Sequence, residues 1–241
     1  MLDRILCLAN SYKHDHRCVA GISLDSKRWV RLVGRTIPGC LTLREASYPD
    51  GKELRLLDIF EAQLDEPCAS NSHPEDIHFG PSSLRFVERY DPVLHAHQLS
   101  LRPSKEQTVL QGASDRIYHK KLDNFRLARS IELIQTDDLW WWIREGAGKR
   151  RNRALFRMGH PNRIRYDLAV TDPVWLQQLN LLPPGVYPHS LLTGTEPCKT
   201  LLTASLSEAF EGFHYKLIAG VLVVPEPARI SRKVAPANPS H

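Results

Sequence analysis

The sequence predicts an all-β protein built from two small β-barrels, with a single β-sandwich as the alternative architecture. Short apolar or alternating segments of strand length recur along the chain, and turns rich in glycine and proline separate them. Two distant segments also resemble each other, RCVAGISLD at 17–25 and YKLIAGVLVV at 215–224. Because glycine within a strand often marks the bend of a closing barrel, this repetition favours two barrels.

In the first half of the chain, strands are predicted at 5–9, 18–24, 29–34, 56–64 and 83–90. The second and third of these are joined by the polar turn DSKR and should form a hairpin. The interval 66–116 is rich in Pro, Ser, His and Gly and is predicted to be mainly loop. A short helix is predicted at 118–128.

The second half repeats this alternation of strands and turns. Its predicted strands are SIELIQ, LWWWIR, ALFRMG, IRYDLAV, LLTASL and YKLIAGVLVV. The segment TDPVWLQQL predicts a helix capped by Thr171 or Asp172, with Pro173 at its first position. The predicted domains are a first barrel at 1–120, a second barrel at 121–225 and a disordered tail at 226–241.

Length and composition set the broad class of the protein. The chain has 241 residues, 42% of them hydrophobic and 24% charged, which suits one large or two small globular domains. No window approaches eighteen consecutive apolar residues, so no membrane span is expected, and the N-terminus is interpreted as a strand rather than a signal peptide. Five cysteines without a CxxC pair indicate a reducing compartment, which predicts a cytoplasmic protein.

The segment 139–166 is predicted to form three strands whose side chains alternate between two faces. Leu139, Trp141 and Ile143 fall on one face, while Trp140 and Trp142 fall on the other. The first face continues in the next strands through apolar residues, namely Ala154, Phe156, Met158, Ile164, Tyr166 and Leu168. The opposite face carries arginine beside the two tryptophans.

Positive charge is concentrated in this segment, because eight Lys or Arg residues but only one acidic residue lie between positions 144 and 166. Arginine beside exposed tryptophan is typical of surfaces that bind single-stranded nucleic acid, since bases stack on the rings and guanidinium groups contact phosphates. The candidate residues are Trp140, Trp142, Arg144, Arg153, Arg157, Arg163 and Arg165, with Lys149, Arg150 and Arg151 in the predicted turn. The first hairpin adds Lys13, Arg17, Trp29 and Arg31.

A basic surface of this kind can also lack a binding role. The arginines could simply be solvated, with the tryptophans packed beneath the other half of the protein. Trp29 also has two interpretations. It shares a strand face with Arg31, and burial in a core explains its position as well as stacking on a base does. Binding of nucleic acid is the leading hypothesis.

Catalysis and metal binding have weaker support. His14 with His16, and His95 with His97, could each place two imidazoles on one strand face, but no third ligand stands at a familiar spacing. The common nucleotide-binding and hydrolase motifs are absent, so no cofactor, metal or catalytic residue is predicted. Five carboxylates could still be gathered by the fold into a nuclease site: Asp58, Glu61, Asp137, Asp138 and Asp167.

The order of several motifs resembles the bacterial dual OB-containing domain family. LCLANSYKHDHRCVAG followed by RWVRLVG is similar to the opening of that family. SIELIQTDDL, RALFRMG with RYDLAVTDP, and LLTASLSEAFEGFHYKLIAGVL resemble its later segments. The resemblance implies two OB folds in tandem and nucleic-acid binding in bacteria, beside helicases or in defence systems, and it brings no catalytic residues.

The resulting prediction is a non-enzymatic protein of two tandem OB-like β-barrels that binds single-stranded or flexed nucleic acid, DNA or RNA, chiefly through its second barrel. A protein-interaction module that docks an acidic partner, such as a helicase or effector subunit, is the first alternative. A nuclease-like enzyme is the second. The repeated Ala-Gly strands are interpreted as close-packed positions that recur because the barrel recurs.

Overall fold

The computed structural model describes residues 2–13, 15–37, 39–80, 84–92, 94–95, 101–136, 138–159, 163–194 and 198–225. The predicted tail at 226–241 and the predicted turn at 160–162 lie outside these residues. So do three individual residues: His14, His97 and Asp137. The strands are β1 (Leu2–Lys13), β2 (His16–Ser23), β3 (Trp29–Val33), β4 (Asp58–Pro67), β5 (Asp76–Phe79), β6 (Arg85–Arg89), β7 (Arg116–Tyr118), β8 (Ile131–Gln135), β9 (Trp140–Gly146), β10 (Lys149–Met158), β11 (Ile164–Val170), β12 (Gly185–Pro188), β13 (Cys198–Phe210) and β14 (Phe213–Pro225). The helices are α1 (Pro173–Asn180) and α2 (Ser190–Thr193).

The first sheet closes into a barrel with the strand order β1-β2-β3-β5-β4-β1, and β6 extends it beside β4. This is the order of an OB barrel, in which the third and fifth strands are parallel, as β3 and β5 are here. The first strand is long enough to pair with β4 through its first half and with β2 through its second. Inward side chains such as Ile5, Val19 and Phe60 fill the interior of the barrel and are completely buried.

The second sheet has the same order, β9-β10-β11-β14-β13-β8, with β11 and β14 parallel and β12 added beside β9. Here two consecutive strands take the part of one long first strand, because β8 pairs with β13 and β9 pairs with β10. The core contains Trp141, Phe156, Tyr166, Leu202 and Ile218. The predicted class, all-β with two tandem OB-like barrels, is confirmed.

The barrels pack against each other through the outer face of β1. A bulge at Leu8 interrupts the pairing of β1 with β2 and turns the Leu8 carbonyl towards the second barrel. The Thr203 hydroxyl donates a hydrogen bond of 2.6 Å to that carbonyl. The backbone of Gly220 lies so close that a Cβ there would stand 2.5 Å from the same oxygen. Glycine at 220 therefore allows a strand of the second barrel to lie directly on β1.

The repeated Ala-Gly pairs have a different origin from the predicted one. Ala20 lies in the second strand of its barrel and Ala219 in the fifth strand of the other, so the two are not equivalent positions. They meet in one small buried cluster with Ala9 and Ile131, at the contact between the barrels. Small residues recur because the two backbones approach closely there.

The helix predicted at 118–128 is wrong. Only a 3-10 turn forms, at His119–Leu122. The Asn71 amide donates to the Leu122 carbonyl at 2.8 Å, and the Leu127 N–H donates to the Asn71 carbonyl at 2.9 Å. The Leu122 carbonyl and the Leu127 N–H therefore bond to Asn71 of the first barrel and not to the backbone of a helix. Residues 116–118, which the predicted boundary assigns to the first barrel, pair with β14 of the second sheet.

The helix predicted after Thr171 is confirmed as α1, with Pro173 at its first position. Asp172, rather than Thr171, caps it, since its Oδ1 accepts hydrogen bonds from the N–H groups of Val174 and Trp175 at 2.9 and 3.1 Å. In the described part of the chain, neither helix has the length and apolar character that crossing a membrane requires.

Candidate nucleic-acid interface

The alternation predicted for the tryptophan strand is confirmed. Trp141 is 0% exposed and Ile143 is buried beside it, whereas the side chain of Trp140 is 41% exposed. We call the outward surface of β9, β10 and β11 the Arg/Trp face; its members are Trp140, Trp142, Arg144, Arg151, Arg153, Arg157 and Arg165. The sequence therefore separates a core side from a basic aromatic side, as predicted.

The core side fixes the orientation of β9. The Trp141 ring lies 5.2 Å from that of Trp175 and 5.5 Å from that of His189. Its Nε1–H donates to His189 Nδ1 at 3.1 Å, and the other ring nitrogen of His189 lies 2.6 Å from the Thr200 hydroxyl. Burial lowers the pKa of His189 to about 4, so the ring is neutral near pH 7. Its Nδ1 can therefore accept the hydrogen bond from the Trp141 N–H.

The two outward tryptophans are held by local contacts. Trp140 Nε1 donates to the Asp138 carboxylate at 2.8 Å. The Arg144 guanidinium lies 4.3 Å from the centre of the Trp142 ring, in a cation–π contact. A shallow recess of about 210 Å³ lies beside Trp140, bordered by Leu155 and by the side chains of Arg157, Arg165 and Val186. The face thus offers ring surfaces and a hollow within reach of guanidinium groups.

Arginines stand directly opposite one another on this face. Arg144 pairs with Arg151 across β9 and β10, and Arg157 pairs with Arg165 across β10 and β11. Like charges in directly opposite positions of a sheet are destabilising. None of these four guanidinium groups forms an ion pair within the described part of the chain. These four side chains suit an anionic ligand, although the Asp138 carboxylate lines the same recess as Arg157 and Arg165.

Two arginines of the predicted set are engaged in other contacts. Arg153 forms an ion pair with Asp167, with Nε 2.6 Å from Oδ1. Arg150 donates to the Leu182 carbonyl and, at 3.1 Å, to the Leu179 carbonyl at the end of α1. Arg150 therefore caps the helix.

The basic residues assigned to the turn in fact begin the next strand. The turn consists of Ala147 and Gly148, whose φ angles are 51° and 69°, and β10 starts at Lys149. Lys149 and Arg163 are exposed and stand at the ends of their strands. Positive charge therefore extends along the whole length of β10 and to the start of β11.

The same substitution is expected to change the stability of the protein at Arg150 but not at Arg151. Arg150→Met should lower the free energy of unfolding by about 1–3 kcal/mol, because the last carbonyls of α1 lose a charged donor. Arg151→Met should change it by less than about 0.5 kcal/mol, since the side chain is exposed. Urea denaturation of the two variants measures the difference, and equal stabilities would contradict the capping role of Arg150.

The structure does not bring the first-hairpin candidates onto the Arg/Trp face. Arg17 is buried in an ion pair with Glu53, and Arg31 is buried in a bidentate pair with Asp76 at 2.7 and 2.8 Å. Alternation places Arg31 outside its own barrel, opposite Ala20, which lies in the contact with the second barrel.

The other two candidates of this hairpin also make contacts between the barrels. Lys13 Nζ lies 3.0 Å from Glu208 of the second barrel. Trp29 is half-buried and packs against the cluster that contains Ala20 and Ala219. Trp29 therefore contributes to the contact between the barrels.

The carboxylates considered for a nuclease site are dispersed. Asp58 accepts from the Tyr48 hydroxyl and pairs with Arg89, while Glu61 pairs with Arg85, all on the first barrel. Asp138 and Asp167 lie on the second barrel with the partners described above. Within the residues that the structure describes, no three His, Cys, Asp or Glu side chains are grouped so that they could hold a metal ion.

Sequence reasoning missed a cleft of about 480 Å³ between the barrels. Its walls include Tyr12 from β1, Cys18 from β2 and Phe210 and Tyr215 from β13 and β14, and its floor includes Leu217. No local pattern could reveal it, because these residues are almost two hundred positions apart and only the docking of the barrels brings them together.

Comparison with known proteins gives one match. No curated protein and no solved structure matches this chain. A model of the family described as the dual OB-containing domain matches residues 3–221, which span both barrels and the contact between them. The chain belongs to the dual OB-containing domain family.

Proposed function

We propose that this protein binds single-stranded nucleic acid on the Arg/Trp face of its second barrel. The observation that carries the proposal is the juxtaposition of two outward tryptophans with two cross-strand pairs of arginines that have no carboxylate partner in the described structure. A barrel has no structural need for such an arrangement, because the arginine pairs repel each other. An anionic ligand with flat rings would use both elements.

The position of the face within the barrel supports the same function. OB folds bind oligonucleotides on the surface of their second and third strands, which here are β10 and β11. In the first barrel the corresponding strands, β2 and β3, contribute Ala20 and Trp29 to the contact with the second barrel. The second barrel therefore keeps its surface open, while the first uses part of its own for docking.

A single strand fits this surface better than a duplex. Its bases can leave their stack and lie on Trp140 and Trp142, whereas a duplex hides the faces of its bases. Phosphates on either side would contact Arg151, Arg157 and Arg165. Stacking does not select a base, so the expected binding is tolerant of sequence.

Trp140→Ala is expected to weaken binding of a short single-stranded oligonucleotide by about 1–3 kcal/mol, the usual loss for one stacked base. The melting temperature should change little, because the ring is exposed. Fluorescence anisotropy at fixed salt concentration measures the affinity. Phe125→Ala is the matched control, since Phe125 is an exposed aromatic residue outside the face and its loss should not alter binding.

The dependence of affinity on salt tests the arginines in the same assay. Arg157→Ala should reduce the slope of log affinity against log salt by roughly one, whereas Arg35→Ala should leave it unchanged, because Arg35 pairs with Asp65 and Glu66 on the first barrel. If the wild-type chain binds no oligonucleotide even at low salt, the proposal is wrong. The basic face would then favour an acidic protein partner.

A further inference from the structure

The cleft between the barrels is lined partly by Cys18 of β2 and Arg31 of β3, the second and third strands, which carry the ligand surface in an OB fold. Near the contact between the barrels, β1 and β2 lie against β13 and β14 and the surface is closed. At the far end of β1 the sheets diverge and the cleft of about 480 Å³ opens. This volume lies within the range of roughly 300–1,000 Å³ typical of ligand pockets, which often form between domains.

A row of residues across four strands leads from the Arg/Trp face to the cleft. The strand pairings place Trp142, Arg153, Ala169 and Leu217 in one row across β9, β10, β11 and β14. All four are at least partly exposed, and Leu217 forms the floor of the cleft. Three strand spacings of about 4.8 Å separate β9 from β14, so the cleft begins about 14 Å from Trp142.

Three aromatic side chains border the cleft, and two of them are well exposed. Phe210 is 63% and Tyr12 43% exposed, and Tyr215 stands beside them on β14. Tyr12 has the Arg17 guanidinium 4.1 Å from the centre of its ring. Rings around an apolar floor suit a flat ligand that can make face or edge contacts with them.

The charges of the cleft differ from those of the Arg/Trp face. Arg31 is neutralised by Asp76, and Lys13 is neutralised by Glu208 across the gap between the barrels. The cleft therefore has no unpaired cation among these residues to attract a phosphate. Polar groups at its rim, including the Glu208 carboxylate and the Ser205 hydroxyl, can instead accept or donate hydrogen bonds at the edge of a ring.

We propose that the cleft between the barrels receives a single unstacked nucleobase, supplied by the strand whose phosphates cross the Arg/Trp face. The division of labour follows the chemistry: unpaired arginines hold the backbone, and an electrically balanced pocket with aromatic walls holds one base. The identification of the strand as the source of the base rests on the proposed function, whereas the fit of a nucleobase to the cleft rests on the cleft alone.

Photochemical cross-linking with the full chain locates each base. A series of oligonucleotides carries 5-iodouracil at one position at a time, and mass spectrometry identifies the attached peptides after irradiation. Several positions should attach to peptides containing Trp140 or Trp142, and one position to a peptide containing Tyr12, Phe210 or Tyr215. Phe210→Ala should reduce the cleft product several-fold and leave the Trp140 product unchanged, whereas Phe86→Ala, at an exposed site on the first barrel, should affect neither.

A second arm uses 5-iodouridine monophosphate in place of the oligonucleotide. Attachment to the cleft peptides in this arm supports the nucleobase site and makes a free nucleotide a source of the base. Absence of cleft products in both arms overturns the inference. If the oligonucleotides attach only to Trp140 and Trp142 and the mononucleotide labels no cleft peptide, the proposed function stands and the cleft site fails. If no oligonucleotide binds but the mononucleotide labels the cleft, the proposed function fails and the cleft site stands.

Discussion

Trp141→Ala is expected to lower the free energy of unfolding by about 3–5 kcal/mol, the usual loss for emptying a large aromatic site in a core. Trp141 is completely buried and is among the largest side chains in the second barrel. Its ring contacts Trp175 of α1 and His189, which precedes α2, so its removal would separate β9 from both helices. Urea denaturation followed by circular dichroism measures the change.

Two further variants separate the contributions to this loss. Trp141→Phe keeps much of the ring volume but removes the donor to His189 Nδ1. Its free energy of unfolding should therefore lie between those of the wild type and Trp141→Ala. Trp140→Ala, one position away, should be close to neutral. If Trp140→Ala proved as damaging as Trp141→Ala, Trp140 would have a structural role and the Arg/Trp face would lose its main stacking residue.

The orientation of this strand could be predicted because it depends on a local rule. Side chains alternate with a period of two, and burying Trp141 with Ile143 fixes where Trp140 and Trp142 point. The same rule separates Phe156 from the arginines beside it. Alternation assigns a residue to one side of a sheet. This is sufficient for the second barrel because, among the described residues, no other element covers its arginine side.

The rule does not say what covers the other side of a sheet. The register places Arg31 opposite Ala20, near the contact with the second barrel, yet the side chain is buried in its pair with Asp76. Arg150 is occupied by carbonyls at the end of α1, about thirty residues further along the chain. The cleft needs Tyr12 beside Tyr215, which only the docking of two barrels can bring about. These features depend on distant contacts, for which a single sequence holds no periodic signal.

The buried pair of Arg31 and Asp76 leads to a second large effect. Asp76→Asn is expected to lower the free energy of unfolding by about 3–5 kcal/mol, because it leaves the Arg31 guanidinium buried without a counter-charge. Both side chains are largely withdrawn from water, and two hydrogen bonds of 2.7 and 2.8 Å join them across the parallel strands β3 and β5. Thermal and urea denaturation of the single variant measure this loss.

The double variant Arg31→Met with Asp76→Leu shows whether the loss comes from an unpaired charge. Replacing both partners with apolar residues removes the desolvation cost with the attraction, so most of the stability lost in Asp76→Asn should return. Asp65→Asn is the surface control, because its partner Arg35 is half exposed and such a pair contributes about 0–1 kcal/mol. If the double variant were as unstable as Asp76→Asn, the charge pair would not explain the loss. Recovery would show that the loss in Asp76→Asn comes from the unpaired Arg31 charge, so that Arg31 and Asp76 form a neutral buried pair within the first barrel.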